Sequence, residues 1–166
     1  MADRVRFEVG SAIGLPLPDR SFDFALLLHV GMNVPDKMSL FREARRVLRD
    51  DGTFAIYEVM RTGEGDLAYP VPWAETAGFS ALEAPEIYLN AAAAAGFSLK
   101  AQEDRREMAL DFFSRLQAQA ASDAPPPLGL HNLMGPSVKE KPANMMAAVR
   151  AGVIAPMQMV LSATQP

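Results

Sequence analysis

The chain has 166 residues, with 16 Lys and Arg against 20 Asp and Glu, so its formal net charge is -4. Hydrophobic residues make up 49% and charged residues 22%, a balance suited to one globular domain with its own core. The acidic balance gives no footprint for nucleic acid. The sequence contains no cysteine and two histidines, His29 and His131, far apart, which argues against disulfides, thiolate sites and a histidine-rich metal site. No run reaches the roughly 18 apolar residues needed to span a membrane, and the start has no apolar leader, so a cytoplasmic location is expected.

In chain order, Arg4 to Gly10 (RVRFEVG) alternates Val5, Phe7 and Val9 with Arg4, Arg6 and Glu8. Alternation of this kind predicts a half-exposed strand. Gly14 to Ser21 holds two prolines and reads as a loop. Phe22 to Leu28 (FDFALLL) is nearly all apolar, the pattern of a strand buried on both faces of a parallel sheet. Gly31, Asn33 and Pro35 then hold an irregular loop, and Asp36 is placed to cap a helix.

That helix carries Leu40, Phe41, Ala44, Val47 and Leu48 on one stripe. Arg45, Arg46 and Arg49 fall near its end, where they complement the dipole. The cluster reads as a solvated face rather than a phosphate site. Asp50-Asp51-Gly52 is the expected stop, and Thr53 to Met60 the next buried strand. A strand, helix and strand in this order predict a parallel pair with a right-handed crossover.

The stretch from Arg61 to Ala81 is long, irregular and rich in Gly and Pro, yet Tyr69 and Trp73 within it favour an ordered loop. A helix opens at Pro85 and stops at Gly96. A strand is expected over Phe97 to Arg106, then a helix over Glu107 to Ser122 with Met108, Phe112 and Leu116 on one face. Leu128 to Pro136 reads as an apolar loop or short turn, in which His131 and Met134 pack rather than react. Ser137 and Glu140 resemble a capping box for a helix ending near Arg150, although Pro142 sits early in it. Met157 to Thr164 is the last expected strand. No internal boundary divides the chain, which reads as a single domain over 1–166.

Several motifs in this order carry a family resemblance. They are Gly10-Ser11-Ala12, Leu15-Pro16-Leu17-Pro18-Asp19, Ser21-Phe22-Asp23, the Arg42 to Leu48 run REARRVL, and Asp51-Gly52. The series resembles G-D-A, L-P-F/L-x-D, S-F-D and E-x-x-R-V-L-x-P-G-G of the class I S-adenosylmethionine-dependent methyltransferases that act on small molecules. Tyr69 to Ala74 (YPVPWA) and Ala95-Gly96-Phe97 are similar to a subgroup near the sarcosine and dimethylglycine N-methyltransferases.

The resemblance implies an α/β fold, Rossmann-like, of which these residues form the C-terminal part. The family's sheet runs in the order 3-2-1-4-5-7-6, mostly parallel with an antiparallel final strand and helices on both faces. Arg4 to Gly10 would be its third strand and Phe22 to Leu28 its fourth. The expected strands at Thr53, Phe97 and Met157 would be the fifth, sixth and seventh. The first two strands and the glycine-rich cofactor loop between strand and helix have no counterpart in the sequence, so the domain reads as truncated and cofactor binding is in question.

The resemblance also implies site residues. Ser11 and Ala12 take the place of the residues that meet the adenine of S-adenosylmethionine, with Ser11 equally readable as a turn residue. Leu28, His29 and Val30 follow the fourth strand, where cofactor and reacting methyl group lie. His29 is the catalytic candidate, as a proton acceptor, against a structural role. Met32, Asn33, Glu58, Tyr69 and Trp73 are candidates for substrate contact. Tyr69 and Trp73 read either as an aromatic wall for an amine or as a loop plug, and Glu58 either as a strand-end ligand or as an exposed, uninvolved carboxylate.

Two functions follow. One is a methyltransferase acting on a small molecule, impaired by the absent half. The other is a non-catalytic remnant or dimeric interaction module that keeps the scaffold. Under both, Phe22 to Leu28 becomes an open sheet edge, and a homodimer covering it is expected.

Overall fold

The computed structural model describes residues 4–120 and 135–164. The expected positions of His131 and Met134 lie outside the described residues. Four strands form one sheet: β1 (Phe22–Leu28), β2 (Leu48–Arg61), β3 (Phe97–Asp104) and β4 (Ile154–Ala163). Their order is β1-β2-β4-β3. β1 and β2 are parallel, and β4 runs antiparallel to both β2 and β3. This reproduces the fourth, fifth, seventh and sixth strands of the expected order, with the final strand inserted antiparallel.

Helices cover the two faces. α1 (Lys37–Val47) and α2 (Pro85–Ala94) pack on one; α3 (Arg106–Ala120) and α4 (Glu140–Arg150) pack on the other. Strand alternation decides which residue goes where. Phe54, Ile56 and Met60 of β2 meet Leu40, Phe41 and Tyr88 beneath α1 and α2. Val59 turns the other way, to a second cluster with Val149, Val71 and Ile154.

α1 starts where Asp36 was expected to cap it, with Ser39 N donating to Asp36 Oδ1 at 2.9 Å. The apolar stripe is buried throughout, but Leu48 already belongs to β2. The expected stop at Asp50-Asp51-Gly52 is instead part of the strand, with the left-handed turn on Asp51 at φ +65°. Asp50 and Asp51 therefore do not terminate the helix. Asp50 accepts from Arg45 at 3.0 Å and also pairs with Arg20.

Arg46 was expected on a solvated face. It pairs with Glu43 and Asp19 and donates to the carbonyls of Leu15 and Leu17, tying the preceding loop to α1. Pro85 opens α2 at its first turn, and Gly96 follows it with φ +86°, as expected. For α4 the expected capping box does not form. Ser137 lies in a short 3-10 turn, and Lys139 holds the N-cap position with no side-chain bond. Pro142 then falls in the first turn, where its missing N–H has no intrahelical acceptor to lose.

The largest departure is at Arg4 to Gly10. No strand forms there, and Phe7 is 93% exposed. The alternation is real, but a strand needs a hydrogen-bonded neighbour, and the described residues offer this segment none. β1 is consequently the sheet's edge. Ala25 and Leu27 face α1, while Phe24, Leu26 and Leu28 stand exposed on the opposite side. The expectation of burial on both faces thus holds for one face of β1 only.

Candidate functional site

The C-terminal ends of β1 and β2 point to the same end of the sheet because the two strands are parallel. A cavity of about 710 Å³ opens there, on the α3 and α4 side. Its strand-end wall is His29, Tyr57 and Val59, with Met32 and Asn33 from the rim loop. Pro72 and Trp73 come from the long loop after β2. Met108, Ala109, Phe112 and Phe113 of α3, Pro142 and Met145 of α4, and Pro156 of β4 complete it.

His29 stands at the turn out of β1 with φ +52°, and its N–H still bonds to Tyr57 O at 3.1 Å. Its ring meets the Tyr57 ring edge to face at 5.3 Å. Desolvation by the surrounding walls lowers its pKa below the ordinary value, although one side of the residue is open to solvent. The imidazole is therefore neutral near pH 7 and able to accept a proton.

The rim loop is held from beneath. Glu58 is 0% exposed, and its Oε1 accepts from Val30 N at 2.8 Å and Gly31 N at 3.0 Å. Desolvation raises its pKa, opposed by those amides and by the charge of Lys37. Lys37 is buried too, donates to Ala81 O at 2.8 Å, and lies 5.2 Å from the Tyr88 ring centre. Gly31 has no room for a side chain: an added Cβ would meet the Tyr88 hydroxyl at 2.9 Å. The reading of Glu58 as an exposed carboxylate is thus overturned, and its side chain anchors the loop rather than lining the cavity.

The long loop is ordered, as Tyr69 and Trp73 suggested. Val71 is fully buried, Asn144 Nδ2 donates to Pro70 O at 2.9 Å, and Ala81 N bonds to Met32 O at 2.8 Å. Trp73 is fixed by an indole bond to Ser80 Oγ at 3.0 Å, while its carbonyl accepts from Asn33 Nδ2 at 2.8 Å. Tyr69 packs against the second core cluster and does not reach the cavity wall.

The other candidates lie apart. Ser11 forms a tight turn to Gly14, and Ile13 N approaches its hydroxyl at 3.4 Å. Ala12 packs on the core cluster that includes Leu27. Leu28 and Val30 are exposed along the β1 edge. The structure therefore joins His29, Met32, Asn33 and Trp73 in one cavity and leaves Ser11, Ala12, Leu28, Val30, Glu58 and Tyr69 outside its walls. Sequence reading did not name Tyr57, Met145 or Pro156. Met108 and Phe112 were visible only as one apolar face of a helix. Among the described residues no grouping of His, Asp and Glu could hold a metal ion, and no helix is long and apolar enough to cross a membrane.

Comparison with known proteins agrees with this geometry. The Methyltransferase domain family matches residues 1–56. A 27-O-demethylrifamycin SV methyltransferase from Amycolatopsis mediterranei is 44% identical over 54 residues, 32% of this chain and 20% of that protein. A ubiquinone/menaquinone biosynthesis C-methyltransferase from Rickettsia massiliae is 41% identical over 61 residues, 37% of this chain and 25% of its own. Among solved structures, one from Galdieria sulphuraria assigned as a sarcosine dimethylglycine methyltransferase aligns with TM-score 0.76 at 22% identity. It covers 98% of this chain, which spans 61% of that one. A geranyl diphosphate C-methyltransferase from Streptomyces coelicolor aligns with TM-score 0.69 at 18% identity, over 96% of this chain and 54% of its own. The chain thus spans a minor part of the curated relatives and little more than half of these structures. Over its first 56 residues the chain is similar to the Methyltransferase domain family, and its fold is similar to that of the class I S-adenosylmethionine-dependent methyltransferases.

Proposed function

We propose that this chain serves methyl transfer from S-adenosylmethionine to a small-molecule acceptor held in the cavity at the ends of β1 and β2. The observation that carries the reading is the position of His29. It ends the strand that corresponds to the family's fourth, and its neutral imidazole stands in the wall of the cavity. The fit to the cofactor is partial. Leu28, His29 and Val30 present an open surface at the end of β1, and Ala12 packs nearby on the same core as Leu27. The Ser11 hydroxyl is turned to its own loop, and the sequence has no glycine-rich loop between a strand and a helix.

When bound, the cofactor supplies an electrophilic methyl group. The chain's own contribution is positioning and exclusion of water. The apolar walls from α3 and α4 hold the acceptor, and Asn33 and Tyr57 offer it polar contacts beside His29. Where the nucleophile is a hydroxyl, His29 takes the proton released as the new bond to carbon forms. As part of this reading, the protein works in the cytoplasm.

Titration of the chain with S-adenosylhomocysteine by calorimetry tests the proposal. Saturable binding at micromolar ligand is the expected result. No heat at millimolar ligand would remove independent cofactor binding and leave a scaffold without it.

A further inference from the structure

The cavity's lining points to the chemical class of its occupant, an inference that rests on the reading above only for the use made of the bound molecule. We propose that the cavity takes an uncharged, largely apolar molecule with a polar end that meets His29, Tyr57 and Asn33. A volume of about 710 Å³ lies within the usual range for a ligand site of roughly 300–1,000 Å³. Among the described residues no Asp, Glu, Lys or Arg contributes to the wall. An ammonium or carboxylate entering it would give up its hydration and meet no opposite charge.

The polar groups sit together rather than being spread around the wall. His29 and Tyr57 are in ring contact at 5.3 Å: His29 follows the end of β1, and Tyr57 lies on β2 opposite Leu28, the last residue of β1. Asn33 donates one amide N–H to Trp73 O, which leaves its second N–H as a donor and its oxygen as an acceptor. Away from this end the wall is Val59, Pro72, Met108, Phe112, Met145 and Pro156. Methionines adapt to irregular apolar shapes, and aromatic rings add large contact areas. Met108 and Phe112 are about half exposed and form an apolar lip. Trp73 offers a ring to a cation, but among the described residues no acidic side chain in the wall supports one there.

Trp73 is the only tryptophan in the chain, so its emission reports on this cavity. The probe is menadione, a neutral bicyclic quinone, which finds no cysteine to alkylate. We expect saturable quenching at micromolar menadione and none with dimethylglycine at millimolar concentration. Phe112→Ala with Met108→Ala should weaken binding by about tenfold, because both side chains are truncated at the lip. Both are surface-facing, and far-ultraviolet circular dichroism checks that the fold is kept. Leu26→Lys, on the apolar β1 edge, should leave menadione binding unchanged.

Quenching that never saturates, an equal loss in Leu26→Lys, or saturable quenching by dimethylglycine would each overturn the proposal. The S-adenosylhomocysteine titration separates the two readings. Menadione binding without it preserves the cavity's chemistry and removes methyl transfer by this chain. Its binding together with a dimethylglycine response does the reverse.

Discussion

Replacing Glu58 tests the support beneath the rim loop. Its carboxylate is fully buried and accepts two backbone N–H groups, from Val30 and Gly31. Glu58→Ala leaves the buried Gly31 N–H and the partly buried Val30 N–H without an acceptor, at up to about 1–3 kcal/mol each, so the expected loss is at most ~2–6 kcal/mol. Glu58→Gln keeps an oxygen for the two amides and removes the cost of burying a charge. The sign of the pH dependence follows from the raised pKa. A carboxyl raised in the folded state binds its proton more tightly there than in the unfolded chain. Its contribution is fully present below the ordinary carboxyl pKa and is lost as pH rises through the folded value. Urea unfolding followed by circular dichroism at acidic and mildly alkaline pH is the assay. Wild type should lose stability relative to Glu58→Gln as pH rises, with Glu58→Ala the least stable throughout. An alanine variant as stable as wild type, or a glutamine variant as weak as alanine, would refute the anchoring role.

Other parts of the structure predict separable effects. Gly31→Ala should cost about 1–3 kcal/mol, since its Cβ would press on the fully buried Tyr88; an unchanged urea midpoint would show that the loop relaxes freely. Arg46→Ala should release the segment it ties to α1, and faster tryptic cleavage at Arg20 would register that; an unaltered cleavage pattern would mean the ion pairs are not what holds it. The open β1 edge and the unpaired strand pattern at Arg4 to Gly10 occur in every copy, so two copies can satisfy each other by reciprocal pairing. Sedimentation should show a dimer at micromolar concentration that Leu26→Lys returns to monomer, and a wild-type monomer would dismiss the idea.

The fold was legible wherever a segment's own pattern matched what surrounds it. Leu40, Phe41 and Ala44 were readable because their stripe meets the sheet. Pro85 and Gly96 marked the ends of α2 because each answers a local backbone need. Arg4 to Gly10 shows the limit. Alternation reports a tendency to lie in a sheet, but hydrogen bonding to a neighbour decides whether a strand forms, and that neighbour is a long-range matter. Asp51 shows the same limit at short range: Asp-Asp-Gly suits a helix stop, but here the helix has already ended at Val47 and the positive φ of Asp51 falls within β2.

The site divides along the same line. The position of His29 and Asn33 at the cavity was legible because they follow the end of β1, and a parallel pair sends its strand ends to one place, whereas Trp73 stood out as an aromatic residue of the long loop after β2. Glu58 had the same credential and was misread. Its burial depends on which face of β2 it occupies, and the registry with Met157 of β4 puts that face under α1 and α2. A carboxylate there needs donors, and the rim loop supplies them as backbone amides that no side-chain motif reveals. The consequence is mechanical. The carboxylate beneath the loop and the histidine above it lie on adjacent strands, so a change in Glu58 is transmitted to the cavity through Val30 and Gly31 without touching any ligand. Glu58→Gln should therefore leave menadione binding intact, and Glu58→Ala should weaken it in proportion to the loop's loss of order.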